Sequence, residues 1–126
     1  MARIIHIVDD DIAMSDIMSD TLNEYGYKTV VSNTLEEAED TLSKQRVDLI
    51  IRDINLPDGT GFDFCKDIRK FSNVPIIFAS ARTMVDDRIR SLDIGGDDFL
   101  SKPYSLKELV SHVNALIRRT YGFTED

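Results

Sequence analysis

Five short apolar runs alternate with five stretches of helical period along these 126 residues, and that alternation limits the fold more than anything else in the chain. The apolar runs fall at about 3–8, 27–32, 47–52, 74–78 and 97–100; the helical stretches fall at about 12–25, 35–45, 62–71, 84–94 and 106–120. Strands separated by helices predict an α/β domain built on a parallel sheet. In the first helix Ile12, Ile17, Leu22 and Tyr25 are read as the buried stripe, with Met14 and Met18 beside it. In the last, Leu106, Leu109, Val110, Val113, Leu116 and Ile117 recur at helical spacing. Gly26 and Gly95-Gly96 stand where the first and fourth helices should stop. Thr34-Leu35-Glu36-Glu37 reads as a capping box, and Ser105 as the cap of the last helix.

Composition narrows the function. The formal net charge of −8 argues against a chain that grips a nucleic-acid backbone by itself, since phosphate binding rests on Lys and Arg. One cysteine, Cys65, rules out an internal disulfide. No apolar stretch approaches the ~20 residues of a membrane span. The first apolar run is short and ends in three aspartates, unlike a signal peptide. A cytoplasmic protein with no membrane partner is expected. There is no repeat or low-complexity segment. Residues 1–120 read as one domain, and 121–126 as a tail or the start of a linker.

The chemistry gathers where the apolar runs end. Leu49-Ile50-Ile51-Arg52 leads into Asp53, and Leu56-Pro57-Asp58-Gly59 then turns the chain. Asp53 thus sits at the C-terminal end of a strand, where open parallel sheets place their ligand sites. The first strand, Ile4 to Val8, runs straight into Asp9-Asp10-Asp11. Asp11 reads as a helix cap. Asp9, Asp10 and Asp53 would converge if the first and third strands are neighbours, and crowded carboxylates call for a hard cation such as Mg2+. Ser80 ends the fourth strand and can donate to a phosphoryl oxygen. Lys102 follows the fifth strand, with Pro103 fixing the turn, and supplies a compact positive charge. Asp53 can then act as a nucleophile that forms an aspartyl phosphate, with the cation and Lys102 offsetting the charge on the transferring group.

These motifs resemble the response-regulator receiver domain of two-component signalling over about residues 3–119. They are Val8-Asp9-Asp10, Asp48 to Asp53 with Leu56-Pro57 and Gly61, Pro75 to Ala81, and Lys102-Pro103. The resemblance implies a single doubly wound, flavodoxin-like (βα)5 domain whose five-stranded parallel sheet has the order 2-1-3-4-5. It implies Asp53 as phosphoacceptor and Asp10, Asp53 and the Asn55 carbonyl as Mg2+ ligands, with Asp9 acting largely through water. Ser80 becomes the switch hydroxyl, Lys102 the phosphate-binding lysine and Phe99 the aromatic switch that repacks inward. Such a domain accepts its phosphoryl group from a sensor histidine kinase. It is no enzyme beyond its own phosphoryl transfer and dephosphorylation. The stretch Ala81 to Ile89 and the run to Leu109 further resemble the OmpR/PhoB branch. Its members form a homodimer through helix four, strand five and helix five, and control transcription through a C-terminal DNA-binding domain. On that resemblance Arg88, Asp97, Glu108 and His112 lie in the dimer interface, with His112 facing Asp97 of the second copy, and the chain is expected to be cut from a longer regulator.

Phe99 stands where many members have Tyr, Ser80 where Thr is commoner, and His112 where Arg is usual. Arg52 is unexpected inside a buried strand; alternation sends it away from Asp53, to snorkel to the sheet edge or meet an acid. His6 reads as a core histidine satisfied by backbone, and Cys65 as a packed or half-exposed thiol. Four other functions compete. A receiver regulated without phosphate is opposed by the full set of acids, Ser80 and Lys102. A stand-alone receiver would act by protein–protein contact. A phosphohydrolase of the haloacid-dehalogenase kind needs an acid where Asn55 stands. A flavodoxin-type nucleotide site needs a Gly- or Ser/Thr-rich loop where this chain has three aspartates.

Overall fold

The computed structural model describes residues 2–56, 59–80, 89, 93, 95–102 and 104–122; of 55, 56, 59–62 and 80 it describes the backbone alone. Five strands form one parallel sheet: β1 (Ile4–Val8), β2 (Lys28–Ser32), β3 (Leu49–Asp53), β6 (Ile76–Ser80) and β7 (Asp98–Ser101), in the spatial order β2-β1-β3-β6-β7. Counted as sheet strands alone, this is the expected 2-1-3-4-5. The register sets Val8 opposite Arg52, Asp53 opposite Ala79 and Ser80 opposite Ser101. Two further strands, β4 (Asn55–Leu56) and β5 (Gly59–Thr60), pair antiparallel beside the turn that follows β3.

Alternation along each strand sends side chains to two separate cores. On one face Ile5, Ile7, Leu49, Ile51, Ile77 and Leu100 pack against α1 (Ile12–Glu24) and α4 (Leu106–Tyr121). On the other, Val8, Ile50, Ile76, Phe78 and Phe99 pack with Ala38 of α2 (Leu35–Lys44) and with Phe64, Cys65 and Ile68 of α3 (Gly61–Arg69). Each such aliphatic or aromatic residue contributes about 1.5–3 kcal/mol of burial. The helix expected over 84–94, with Arg88, lies outside the described residues apart from Ile89 and Asp93, which are helical and exposed.

The caps form as expected. Thr34 Oγ1 accepts the Glu37 N–H (3.1 Å), and Ser105 Oγ accepts the Glu108 N–H (3.0 Å). Gly26 and Gly95 take left-handed φ angles of 93° and 106°. The last helix buries Leu109, Val110, Val113 and Leu116.

The first helix corrects the expected stripe. Its buried residues are Ser15, Met18 and Leu22, whereas Ile12, Ile17 and Tyr25 are 63%, 47% and 56% exposed. The spacing explains it: a step of five residues turns about 140° away from one face, so Ile12, Ile17 and Leu22 never shared a stripe. Steps of three and four link Ser15, Met18 and Leu22. Among the described residues no helix is long and apolar enough to cross a membrane.

Candidate functional site

Because β1, β3, β6 and β7 are parallel, Asp9, Asp53, Ser80 and Lys102 all fall at the same end of the sheet. Asp53 is the last residue of β3, and Lys102 follows β7 directly. Carboxylate oxygens of Asp9, Asp10 and Asp53 lie within 4.8 Å of one another; Asp9 and Asp53 are buried and Asp10 is open to water. Lys102 Nζ donates to Asp53 Oδ2 (2.8 Å) and, at longer range, to Asp9 Oδ2 (3.4 Å).

The acidic loop has a defined shape. Asp9 Oδ1 accepts the Asp11 N–H (2.9 Å), and Asp11 Oδ1 caps α1 by accepting the Met14 N–H (3.0 Å). Burial pushes the Asp9 carboxyl above its ordinary pKa, against the pull of the Asp11 N–H and Lys102. For Lys102, burial works against the charge, but the hydrogen bond and charge of Asp53, with Asp9, outweigh it and raise the pKa. Lys102 therefore stays charged at any pH near neutrality. Tyr104, two residues on, is pushed up to about 12 by burial; its hydroxyl lies 3.5 Å from Met18 Sδ.

Two buried carboxylates in contact with a partly buried ammonium cost desolvation that their mutual attraction only partly offsets. The all-oxygen donor set, with one acid open to water, suits a hard divalent ion that keeps several waters of its own. The structure thus brings together Asp9, Asp10, Asp53 and Lys102. The Asn55 backbone opens β4 and the Ser80 backbone ends β6, while those two side chains, and Pro103 as a whole, lie outside the described residues.

The remaining expectations resolve differently. Phe99 is already buried, in the same core as Phe78 and Phe64. Arg52 does not snorkel: it is fully buried, its Nη1 donates to the Asp53 carbonyl (2.5 Å), and its guanidinium lies 5.0 Å over the Phe64 ring. Stacking and a main-chain acceptor hold the charge inside, so of the two expected settings, the sheet edge or an acid partner, the sheet edge is not the one adopted. Asp97 is engaged within its own chain, accepting from Arg69 Nη2 (2.9 Å) and the Ile76 N–H (2.8 Å). His112 Nδ1 hydrogen-bonds Asp98 Oδ2, again in the same chain. Glu108 is in the first turn of α4, and exposed. His6 is a core residue, but its partner is the Ser32 hydroxyl (Nε2 to Oγ, 2.8 Å), not backbone. Cys65 is fully buried, and burial raises its thiol pKa.

Sequence reasoning missed Asn33 and Ser15, whose side chains both meet the Asp9 carbonyl. Ser15, four residues past Asp11 and so one helical turn from it, carried a local signal; Asn33, 24 residues from Asp9, carried none.

Comparison with known proteins gives a consistent picture. A sequence model of the response regulator receiver domain matches residues 5–114. The uncharacterized transcriptional regulatory protein YvcP of Bacillus subtilis is 37% identical over 97% of the chain and 51% of its own length. The sensory transduction protein BceR of Halalkalibacterium halodurans is 36% identical over 100% of the chain and 54% of its own length. The chain spans about half the length of the curated relatives it matches. Among solved structures, a two-component response regulator from Clostridium difficile superposes with a TM-score of 0.91 at 32% identity, covering 94% of this chain and 98% of that one. A CheY-like receiver domain protein from Methanospirillum hungatei, at 23% identity and a TM-score of 0.89 over 94% of this chain and 96% of that one, shares the fold.

Proposed function

This chain belongs to the response regulator receiver domain family, and we propose that it is a phosphorylation-dependent switch whose acceptor is Asp53. The observation that carries the reading is the Asp53 carboxylate, buried at the end of β3, 2.8 Å from a charged lysine and grouped with Asp9 and Asp10. In the proposed reaction an Asp53 carboxylate oxygen attacks the phosphorus of a phosphohistidine on a sensor kinase. The O–P bond forms as the P–N bond breaks, and the imidazole leaves. Asp9, Asp10, Asp53 and the Asn55 carbonyl would hold Mg2+, which offsets negative charge on the transferring group. Lys102 then meets the phosphoryl oxygens, and Ser80 supplies a hydroxyl from the end of β6. Exposed Met14 and Ile17, three residues apart on one side of α1, supply apolar surface on which the kinase can dock.

The output is a population shift favouring an arrangement of Ser80 and Phe99 in which the face made by the residue 84–94 segment, β7 and α4 forms a homodimer. Any dimer that pairs His112 with Asp97 must first exchange their in-chain partners Asp98 and Arg69. The receiver extends through Tyr121, the last residue of α4, whose hydroxyl donates to the Asp48 carbonyl (2.7 Å), one residue beyond the expected boundary at 120; a DNA-binding domain outside this sequence acts on transcription in the cytoplasm, as in the OmpR/PhoB branch. That matches relatives twice this length which are called transcriptional regulators.

Intact mass after incubation with Mg2+ and acetyl phosphate tests the acceptor. Wild type should gain one phosphoryl group in an acid-stable, base-labile bond and Asp53→Asn none; equal gain in both would place the phosphoryl group elsewhere.

A further inference from the structure

Asp9 is held by its backbone from the neighbouring strand. Its N–H donates to the Ser32 carbonyl (3.0 Å), and its carbonyl accepts the Asn33 side-chain amide (2.7 Å). Residues 32 and 33 thus hold both peptide groups that flank the Asp9 Cα. The same amide reaches Ser15 Oγ (3.3 Å), and that hydroxyl lies 2.6 Å from the Asp11 carbonyl and 3.4 Å from the Asp9 carbonyl. Ser15 is fully buried. The Asn33 N–H donates to Glu37 Oε1 (2.7 Å), which ties the residue to the first turn of α2. An acceptor at 2.7 Å fixes which end of the Asn33 amide faces Asp9, since only the NH2 group can donate.

We infer that Asn33 is a positioning residue for cation binding: it pins the Asp9-Asp10-Asp11 loop in the shape that brings Asp9 and Asp10 to Asp53. The inference rests on the metal-binding reading above. The physical need is plain. Three carboxylate groups within 4.8 Å repel one another, and the Asp11 N–H and Lys102 contacts that oppose this repulsion use carboxylate oxygens a cation would also take. The Asn33 amide and the Ser15 hydroxyl bond main-chain carbonyls of the loop, not its carboxylates. They act on the carbonyls of Asp9 and Asp11 and so fix the backbone. A preorganised set of donors binds an ion more tightly than one that must be gathered against repulsion. Ser15 also lies in the core of α1, so a change there would perturb packing; Asn33 is the position where the pin can be removed by itself.

The experiment is calorimetric titration of the whole chain with Mg2+, for wild type, Asn33→Ala and Thr34→Ala. Thr34→Ala removes the adjacent α2 cap, so it destabilises the same turn without touching Asp9. Asn33→Ala should weaken Mg2+ binding roughly fivefold, the usual weight of one hydrogen bond, while Thr34→Ala lowers Tm and leaves the affinity unchanged. In acetyl phosphate assays the half-saturating Mg2+ should rise by the same factor for Asn33→Ala, with the rate at saturating Mg2+ within about twofold of wild type. Unchanged affinity in Asn33→Ala would overturn the inference, and so would an equal loss in Thr34→Ala, which would reduce the effect to general destabilisation. Failure of wild type itself to bind Mg2+ would overturn the metal-site reading and the inference with it.

Discussion

Lowering the pH from 7.5 to 5 should weaken the fold through one imidazole. His6 is fully enclosed between β2 and β3 and bonds only Ser32 through Nε2; no described residue offers a partner to Nδ1. Protonation would place an N–H and a charge in an apolar core. Burial, helped by the Arg52 guanidinium, lowers the pKa from 6.5 to about 4. The unfolded chain therefore takes up this proton near 6.5 and the folded chain not until near 4. Between those values the unfolded state binds more protons, and stability falls as pH falls. At about 1.36 kcal/mol per unit, the whole window is worth about 3 kcal/mol, of which about 2 kcal/mol lies between pH 7.5 and pH 5. That is a large share of the ~5–15 kcal/mol that holds a typical domain. Asp9 acts in the opposite sense, because its raised folded pKa favours the native state as pH drops. A comparison with His6→Leu cancels Asp9, which both proteins share. Urea melts followed by circular dichroism, without Mg2+, give the curves; the chain has no tryptophan to follow. Whatever the substitution does at pH 7.5, the wild-type value should fall relative to His6→Leu by about 2 kcal/mol on going to pH 5. Parallel curves would refute the reasoning, since a histidine that titrates normally in the fold contributes no slope of its own.

Two other perturbations follow from the same geometry. Lys102→Met should slow phosphorylation by acetyl phosphate on the order of a hundredfold at saturating Mg2+, read as intact mass against time; a rate within twofold of wild type would remove Lys102 from the transfer step. Gly95→Ala should cost about 1–3 kcal/mol in urea melts. The backbone there has φ +106°, and a Cβ would lie 2.9 Å from Arg69 Cγ and Nε, atoms held in place by bonds to the carbonyls of Gly95 and Val74 and to Asp97; an unchanged midpoint would show that this knot relaxes at no cost.

The sheet and the acid-lysine cluster were legible because they depend on local signals that survive in any parallel α/β fold. A buried strand is a run of aliphatics, and its last residue must fall at the ligand-bearing edge, so Asp53 and Lys102 could be placed by counting. What was not legible depends on rotation and on partners distant in sequence. Ile12 and Ile17 look like core residues by composition, and only their angular position on α1 exposes them. Arg52 breaks the apolar pattern of β3, yet Phe64 and the Asp53 carbonyl, neither identifiable as its partner from the pattern alone, keep it inside. Asp97 and His112 carry the residue types of an interface, but Arg69 lies 28 positions before Asp97 and Asp98 lies 14 before His112, and such pairings appear only once the chain is folded. Asn33 is the same case: its contact with Asp9 spans 24 positions.

The position of Lys102 also constrains the order of events at the proposed site. Its ammonium sits on Asp53 Oδ2, an oxygen of the very carboxylate that must attack. A lone pair engaged by a cationic donor is a poorer nucleophile, so Lys102 at rest protects the acceptor as much as it prepares it. Release by deprotonation is closed, because the surrounding acids raise the lysine's pKa rather than lower it. The ammonium can leave Asp53 only by exchange, when another positive charge takes over the acids and a phosphoryl group offers the lysine a more negative partner. Cation binding and lysine transfer are then linked steps. Replacing Lys102 with a neutral residue should accordingly tighten Mg2+ binding while it slows phosphorylation, two effects of opposite sign from one side chain. Weaker Mg2+ binding in Lys102→Met, measured by calorimetry, would show instead that the lysine holds the acids together for the cation rather than competing with it.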